Sequence, residues 1–297
     1  MSFHAPPKPA DLRPEPVPAI DPNEARALAE LVRRHSGIFL SPERVDFLRG
    51  RLGKHLRRLG HRNFGSYIRF IDSADGQQER LHLIEAITTH TTGFFRETGH
   101  FDWMRQSALP LLAEGGVGKT RPLVIWSAAC SIGAELWSAG MVASQFNLET
   151  GTALQFELIG TDISRPILRR AQTAVFTEDE ISGLPETLRR LYLLRARLKP
   201  KGAKAWPLFR IEPTLRNRAR FNVSNLLDPR TGPRIEADIV FLRNVLIYFT
   251  PEDQAKVVQA VASRVHPGGY VLTGHSENAA QGASGLVRVA TSIYRKA

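Results

Sequence analysis

Residues 122–135 read PLVIWSAACSIGAE. The first half is apolar without alternation and ends in small residues, the pattern of a strand buried on both faces. One glycine, Gly133, then opens the helical run GAELWSAGMVASQF (133–146). The strand–glycine–helix order repeats down the chain: FELIGTD (156–162) leads into SRPILRRAQTA, and ADIVFLRN (237–244) leads into PEDQAKVVQAVASRV. GGYVLTG (268–274) and a single closing strand, VRVATSIYRK (287–296), complete the series. Apolar strands alternating with helices of ten or more residues predict an α/β fold with a doubly wound, mainly parallel sheet, which binds ligands at the carboxyl ends of its strands.

Two residues mark that edge. Gly133 lets a ligand approach the backbone closely, or serves only as a tight turn. Asp162 ends the second strand, where a carboxylate accepts hydrogen bonds from ribose hydroxyls. The GxGxxG spacing of dinucleotide sites is missing, so the pair suits a nucleoside ligand without pyrophosphate, of which S-adenosylmethionine is the commonest.

Upstream the texture is helical. DPNE (21–24) is a capping box with Pro22 in the first turn, opening EARALAELVRRH. A second helix starts at Ser41-Pro42, with Val45, Leu48, Leu52, Leu56 and Leu59 on one inward face and Gly60 as the stop. Arg44, Arg51, Lys54 and Arg58 line another face. Stretches around Tyr67–Ile71 and Gln77–Ile87 finish a small all-helical domain. The division expected is a disordered Pro-rich N-terminus (1–20), a helical domain (21–87), a linker (88–100) and the α/β domain (101–297), with a basic β insertion at about 191–221.

The chain of 297 residues carries a net charge of +11 with a pI near 10.3, which favours an anionic partner. A single cysteine, Cys130, forms no internal bridge and reads as a small buried residue in a cytoplasmic protein. No apolar run approaches the roughly 20 residues that span a bilayer, so membrane insertion is not expected. CxxC, HExxH and P-loop motifs are absent, so no metal is expected.

TTHTTGFFRE (88–97), IWSAACSIGAE, GTDIS, NLLD (225–228), FLRNVLIYF (241–249) and PGGYVLTGHSEN (267–278), with SGIFL and NFGSYI upstream, occur in order over residues 24–296. Together they resemble the chemotaxis receptor methyltransferases of the CheR type. The resemblance implies methyl transfer from S-adenosylmethionine to glutamate side chains of chemoreceptor helices, giving methyl esters. It implies an S-adenosylmethionine-dependent methyltransferase sheet preceded by the helical domain. Carried over residue by residue, it implies cofactor contacts from His90, Thr92, Arg96, Glu135, Asp162, Asn225, Leu226, Arg243 and Asn244. Arg96 and Tyr248 then stand nearest the transferred methyl, positioning groups rather than moving protons. The basic face of Arg44, Arg51, Lys54 and Arg58 would meet the acidic receptor helices.

Some positions depart from the pattern. His90 stands where the family has asparagine, and Ala134 replaces the first glutamate of Gly-Glu-Glu. Those changes keep a second reading open, a non-catalytic regulator that binds the cofactor or a partner. PKGAKAWP (200–207) has one glycine where tether-docking members carry a glycine-rich loop, which argues against docking on a receptor tether peptide. RNVLIYF is not the Asn/Asp-Pro-Pro-Tyr motif of amino-methylating enzymes, so a nucleic-acid substrate is not expected.

Overall fold

A computed structural model describes residues 18–41, 45–88, 91–196, 207–277 and 285–297, without the side chains of Lys54 and Ala196. Most of the Pro-rich N-terminus, Pro42 and Arg44 at the expected second helix start, His90, and residues 197–206 of the basic insertion lie outside them. The chain divides into two compact units, residues 1–35 with 40–88 and residues 36–39 with 89–297.

The first unit is helical: α1 (Pro22–Ser36), α2 (Val45–Arg58), α3 (Phe64–Asp72) and α4 (Gln77–Ile87). The capping box forms, since Asp21 Oδ1 accepts from Glu24 N at 2.8 Å and Glu24 Oε2 accepts from Asp21 N at 3.0 Å. Leu48, Leu52 and Leu56 are fully buried on α2, so the three-and-four spacing does set its inner face. Leu59 is 41% exposed, a correction to that face. The helix ends at Arg58 and Gly60 takes φ +80, turning the chain before Leu59 can complete the stripe.

The second unit begins with α5 (Thr98–Trp103) and α6 (Leu109–Glu114), which a π turn joins. It continues through β1 (Leu123–Ala128), α7 (Ala134–Thr150), β2 (Phe156–Asp162), α8 (Arg165–Thr173), β3 (Val175–Thr177), α9 (Glu186–Tyr192), β4 (Leu193–Ala196) and β5 (Leu208–Ile211). After these come α10 (Pro213–Arg216), β6 (Ala219–Val223), β7 (Ala237–Leu242), α11 (Pro251–Ala262), β8 (Val265–Thr273), β9 (Leu286–Ala290) and β10 (Ile293–Lys296). Seven strands form one sheet in the order β6-β2-β1-β7-β8-β10-β9. The pairs from β6 to β8 are parallel, and β10 is antiparallel to both β8 and β9.

Alternate residues feed two cores. Ile125, Leu158, Ile239, Phe241 and Leu272 point into one cluster with α7, while Trp126, Ile159, Val240, Leu242 and Val271 point into the other with α11. Burial on both faces is why these strands read as continuous apolar runs.

Two expectations need correction. The closing strand is a hairpin, because Ser292 adopts φ +57 and breaks residues 286–296 into β9 and β10. The small sheet, in the order β3-β5-β4, takes its first strand from Val175–Thr177, upstream of the expected insertion. Ala219–Phe221, at the far end of that insertion, belong to β6 of the main sheet.

Candidate functional site

The loops after β1, β2, β6 and β7 meet at the carboxyl edge of the sheet, and β1 stands between β2 and β7, where the strand order reverses. Residues 129–133 leave β1 with Ala129, Ser131 and Gly133 all in the left-handed region, at φ +65, +53 and +84. A Cβ on Gly133 would fall 2.9 Å from Trp137 Nε1 and 3.2 Å from Ala171 Cβ, so the bare backbone is required there. Cys130 is buried within this loop, and burial pushes its thiol well above the ordinary range.

Asp162 ends β2 with a carboxylate that is 6% exposed. It accepts from Ser131 N at 2.9 Å and Ser164 N at 3.0 Å, which locks the β1 and β2 loops together. After β6, Asn225 Oδ1 accepts from Leu227 N at 3.0 Å, and Leu226 packs against the α11-side core.

Charge at the site centres on Arg243, the residue after β7, whose side chain is 1% exposed. Its guanidinium lies 3.1 Å from Glu135 Oε2 in the first turn of α7 and 3.1 Å from Glu97 Oε2, and it donates to the carbonyl of Arg96. The other oxygen of Glu135 accepts from Ser127 Oγ at 2.6 Å. Burial raises the Glu135 carboxyl above its usual range despite Arg243. Burial pushes Glu97 the same way, but Arg243 and the Asn244 amide, which donates at 3.1 Å, outweigh it and hold that carboxyl low. His100, 2% exposed with no hydrogen bond to either nitrogen among the described residues, is lowered to about 4 by burial and then by Arg243.

From Thr91 onward the run TTHTTGFFRE is tied into this network. Phe94 is core, edge-on to Phe176 at 4.9 Å, and Phe95 N donates to Ser138 Oγ on α7 at 3.0 Å. Phe95 and Glu97 both take positive φ, which turns Glu97 to Arg243 and leaves Arg96 exposed. Arg96 donates to Thr91 O at 3.1 Å and pairs with no carboxylate among the described residues. Thr92 is half-buried. A surface ion pair between Arg96 and Glu97, the ordinary reading of adjacent opposite charges, does not form.

Tyr248 is half-buried on a short turn, Leu246–Tyr248, whose backbone is pinned from two sides. Its carbonyl accepts from Phe39 N at 2.7 Å. Glu277, 3% exposed, accepts from Asn244 N at 2.8 Å, Gly274 N at 2.7 Å and Leu246 N at 2.7 Å, so one carboxylate ties the loop after β7 to the end of β8.

The edge thus gathers Arg96, Glu135, Asp162, Asn225, Leu226, Arg243, Asn244 and Tyr248, while His90 lies outside the described residues. Sequence reasoning did not find Glu97, Ser127, Ser138, His100 or Glu277. Glu97 and Glu277 do stand inside quoted motifs, FFRE and GHSEN, where a carboxylate beside an apolar or glycine-rich run was the available signal. Acceptors at Glu135, Asp162 and Asn225, beside a glycine-bared loop, suit a ligand rich in hydroxyl and amino donors with a positive charge. S-adenosylmethionine has that composition, so the residues present fit it.

Residues 90–293 match the family model described as CheR methyltransferase, SAM binding domain, and residues 23–88 match CheR methyltransferase, all-alpha domain. The chain is 30% identical to the chemotaxis protein methyltransferase of Borreliella burgdorferi, over 93% of this chain and 95% of that one. It is 31% identical to the protein of that name in Escherichia coli, over 85% and 83%, and 31% identical to chemotaxis protein methyltransferase 2 of Pseudomonas aeruginosa, over 90% and 91%. Built on a doubly wound sheet and matched over residues 23–88 and 90–293 by the two domain models, the chain belongs to the CheR methyltransferase family and is an S-adenosylmethionine-dependent methyltransferase.

Proposed function

We propose that this protein acts in the cytoplasm on chemoreceptors, transferring a methyl group to glutamate side chains and leaving γ-glutamyl methyl esters. One observation carries the carboxylate substrate. Arg243 is already engaged by two acids, at 3.1 Å from both Glu97 and Glu135, whereas Arg96 is exposed at the same edge with only a carbonyl partner among the described residues. An exposed guanidinium that no carboxylate of the described residues engages is suited to a carboxylate arriving from outside.

The cofactor, when bound, supplies an electrophilic methyl on a sulfonium. Asp162, Asn225 and Leu226 would hold its nucleoside, and Glu135, Thr92 and Asn244 its polar end. Glutamate, with a reference pKa of about 4.3, is an anion at neutral pH, so the chain need not remove a proton. Its task is to align and dry the reactants: Arg96 orients the carboxylate, and Tyr248 borders the methyl. His100, neutral and buried, is not needed as a base.

Ala134 does not weaken this reading. It is fully buried in the apolar cluster of α7, so a side chain there serves packing and its change from the family pattern strands no polar partner. The receptor face would be the outer side of α2, where Arg51 and Arg58 are exposed, with Arg51 steadied over the Phe47 ring at 5.2 Å. Arg44 and the Lys54 side chain lie outside the described residues. Attraction of acidic helices to such a face weakens with salt, since the Debye length is about 8 Å at physiological ionic strength.

The test is incubation with methyl-labelled cofactor and membranes holding the cognate receptor, followed by alkaline release of labelled methanol. Release is expected from the native protein and not from an Arg96→Ala, Tyr248→Phe double variant. Cofactor binding without methanol release would replace the ester-forming enzyme with a binding regulator. Unchanged release at low salt from an Arg51→Glu, Arg58→Glu variant would remove α2 as the receptor face.

A further inference from the structure

Within the helical unit, a buried acid gathers polar side chains that methyl transfer does not use. Glu79, in the first turn of α4, is 5% exposed. His55 Nε2 on α2 lies 2.5 Å from its Oε1, Tyr67 on α3 donates to the same oxygen at 2.7 Å, and His82 Nδ1, one turn along α4, lies 3.5 Å from Oε2. His55, Glu79 and His82 each offer a ligand atom, and all of these fall within 4.8 Å of one another. Burying one carboxylate against two imidazoles and a phenol is costly as packing and suited to a cation.

We propose that His55, Glu79 and His82 bind a divalent zinc-class ion, with water as the fourth ligand. Two imidazoles and one carboxylate form a donor set that zinc takes tetrahedrally at about 2.0–2.2 Å per bond, which spaces the ligand atoms roughly 3.4 Å apart. The separation of His82 from Glu79 already matches. The closer approach of His55 to Glu79 opens by about 1 Å on binding, judged by that same tetrahedral spacing. The His82 side chain is 43% exposed, which gives the ion an entry path and the water its place. Tyr67 supplies the outer hydrogen bond that fixes the ligating carboxylate.

Proton positions follow from Arg58, which donates to His55 Nδ1 at 2.9 Å. The metal-free imidazole therefore carries its proton on Nε2, facing Glu79. When Nε2 ligates, that proton moves to Nδ1 and the exposed Arg58 must turn away, so Arg58 competes with the ion.

A second cluster, Glu97, His100 and His275, has similar spacing. There the Arg243 guanidinium sits 3.1 Å from the Glu97 oxygen that would ligate, and this fixed buried cation excludes another.

The experiment uses the full chain freed of metal with a chelator and titrated with cobalt(II) as the spectroscopic probe, then with zinc by calorimetry. Expected are tetrahedral cobalt bands at one equivalent, loss of the bands in His82→Ala with unchanged helix content, and zinc binding about 10–100-fold weaker in Tyr67→Phe. Arg58→Ala is expected to tighten zinc. Absent bands, bands that survive His82→Ala, or bands lost in His275→Ala instead would each overturn the site.

Discussion

Arg243 and Glu135 meet across the carboxyl edge of the sheet at 3.1 Å, one at the end of β7 and the other in the first turn of α7. Both lie largely out of solvent, with side chains 1% and 14% exposed. Glu97 closes the pair into a triad.

Arg243→Ala therefore leaves two carboxylates without their cation. Breaking a buried pair from one side costs about 3–5 kcal/mol. The variant should lose that much in urea denaturation of the whole chain, and cofactor binding should fall with it. A loss below about 1 kcal/mol, the size of an exposed pair, would show the triad to be open to solvent.

Glu135 imposes a pH dependence of definite sign. Its carboxyl is raised in the folded state, so the native protein holds the proton more tightly than the unfolded chain. The resulting stability is present below the ordinary carboxylate value of 4.5 and is lost as pH rises through the raised value. Glu135→Gln removes that contribution. The stability of the native protein minus that of the variant should fall as pH increases across this window, as read from urea midpoints.

His100 acts in the opposite sense. Its value of about 4 lies below the ordinary 6.5, so stability is present above pH 6.5 and drains as pH falls toward 4. Because neither nitrogen has a hydrogen bond among the described residues, His100→Leu should fold and should flatten the acid limb. An unaltered slope between pH 6.5 and 4 in that variant would assign the limb to other groups.

Gly133→Ala places a methyl 2.9 Å from Trp137 Nε1 at φ +84. The left-handed conformation alone costs about 1–2 kcal/mol for a residue with a Cβ. The contact adds to it, and the bare backbone that a cofactor would lean on is lost. Calorimetry should show weaker S-adenosylmethionine binding in this variant, with a lowered melting temperature.

Much of this architecture was legible because local chemistry and global burial agree. A strand buried on both faces cannot hide its apolar run, and a capping box announces itself in four residues, so β1, β2 and α1 stand where their sequences put them. Asp162 could be singled out because it ends a strand at the carboxyl edge. Arg243 was known only as one of a matched pair, since its partners Glu135 and Arg96 stand 108 and 147 residues away, Glu97 lies next to Arg96, and no spacing rule joins them through it. The Val175–Thr177 strand is three residues long and gains its identity from pairing with β5. The β9–β10 hairpin escaped notice because its turn uses Ser292 rather than glycine, and a serine at φ +57 is affordable only within a sheet already formed on either side.

The lone thiol has a practical use. Cys130 Sγ lies where a Cβ on Gly160 would come within 3.0 Å of it, in the loop that Asp162 pins, and is 1% exposed. A sulfhydryl reagent can reach it only when that loop opens, so the rate of modification becomes a clock for local opening at the cofactor edge. Ligand that settles on the loop should slow the clock without any label being introduced, and the protein should keep its activity in the absence of reducing agents.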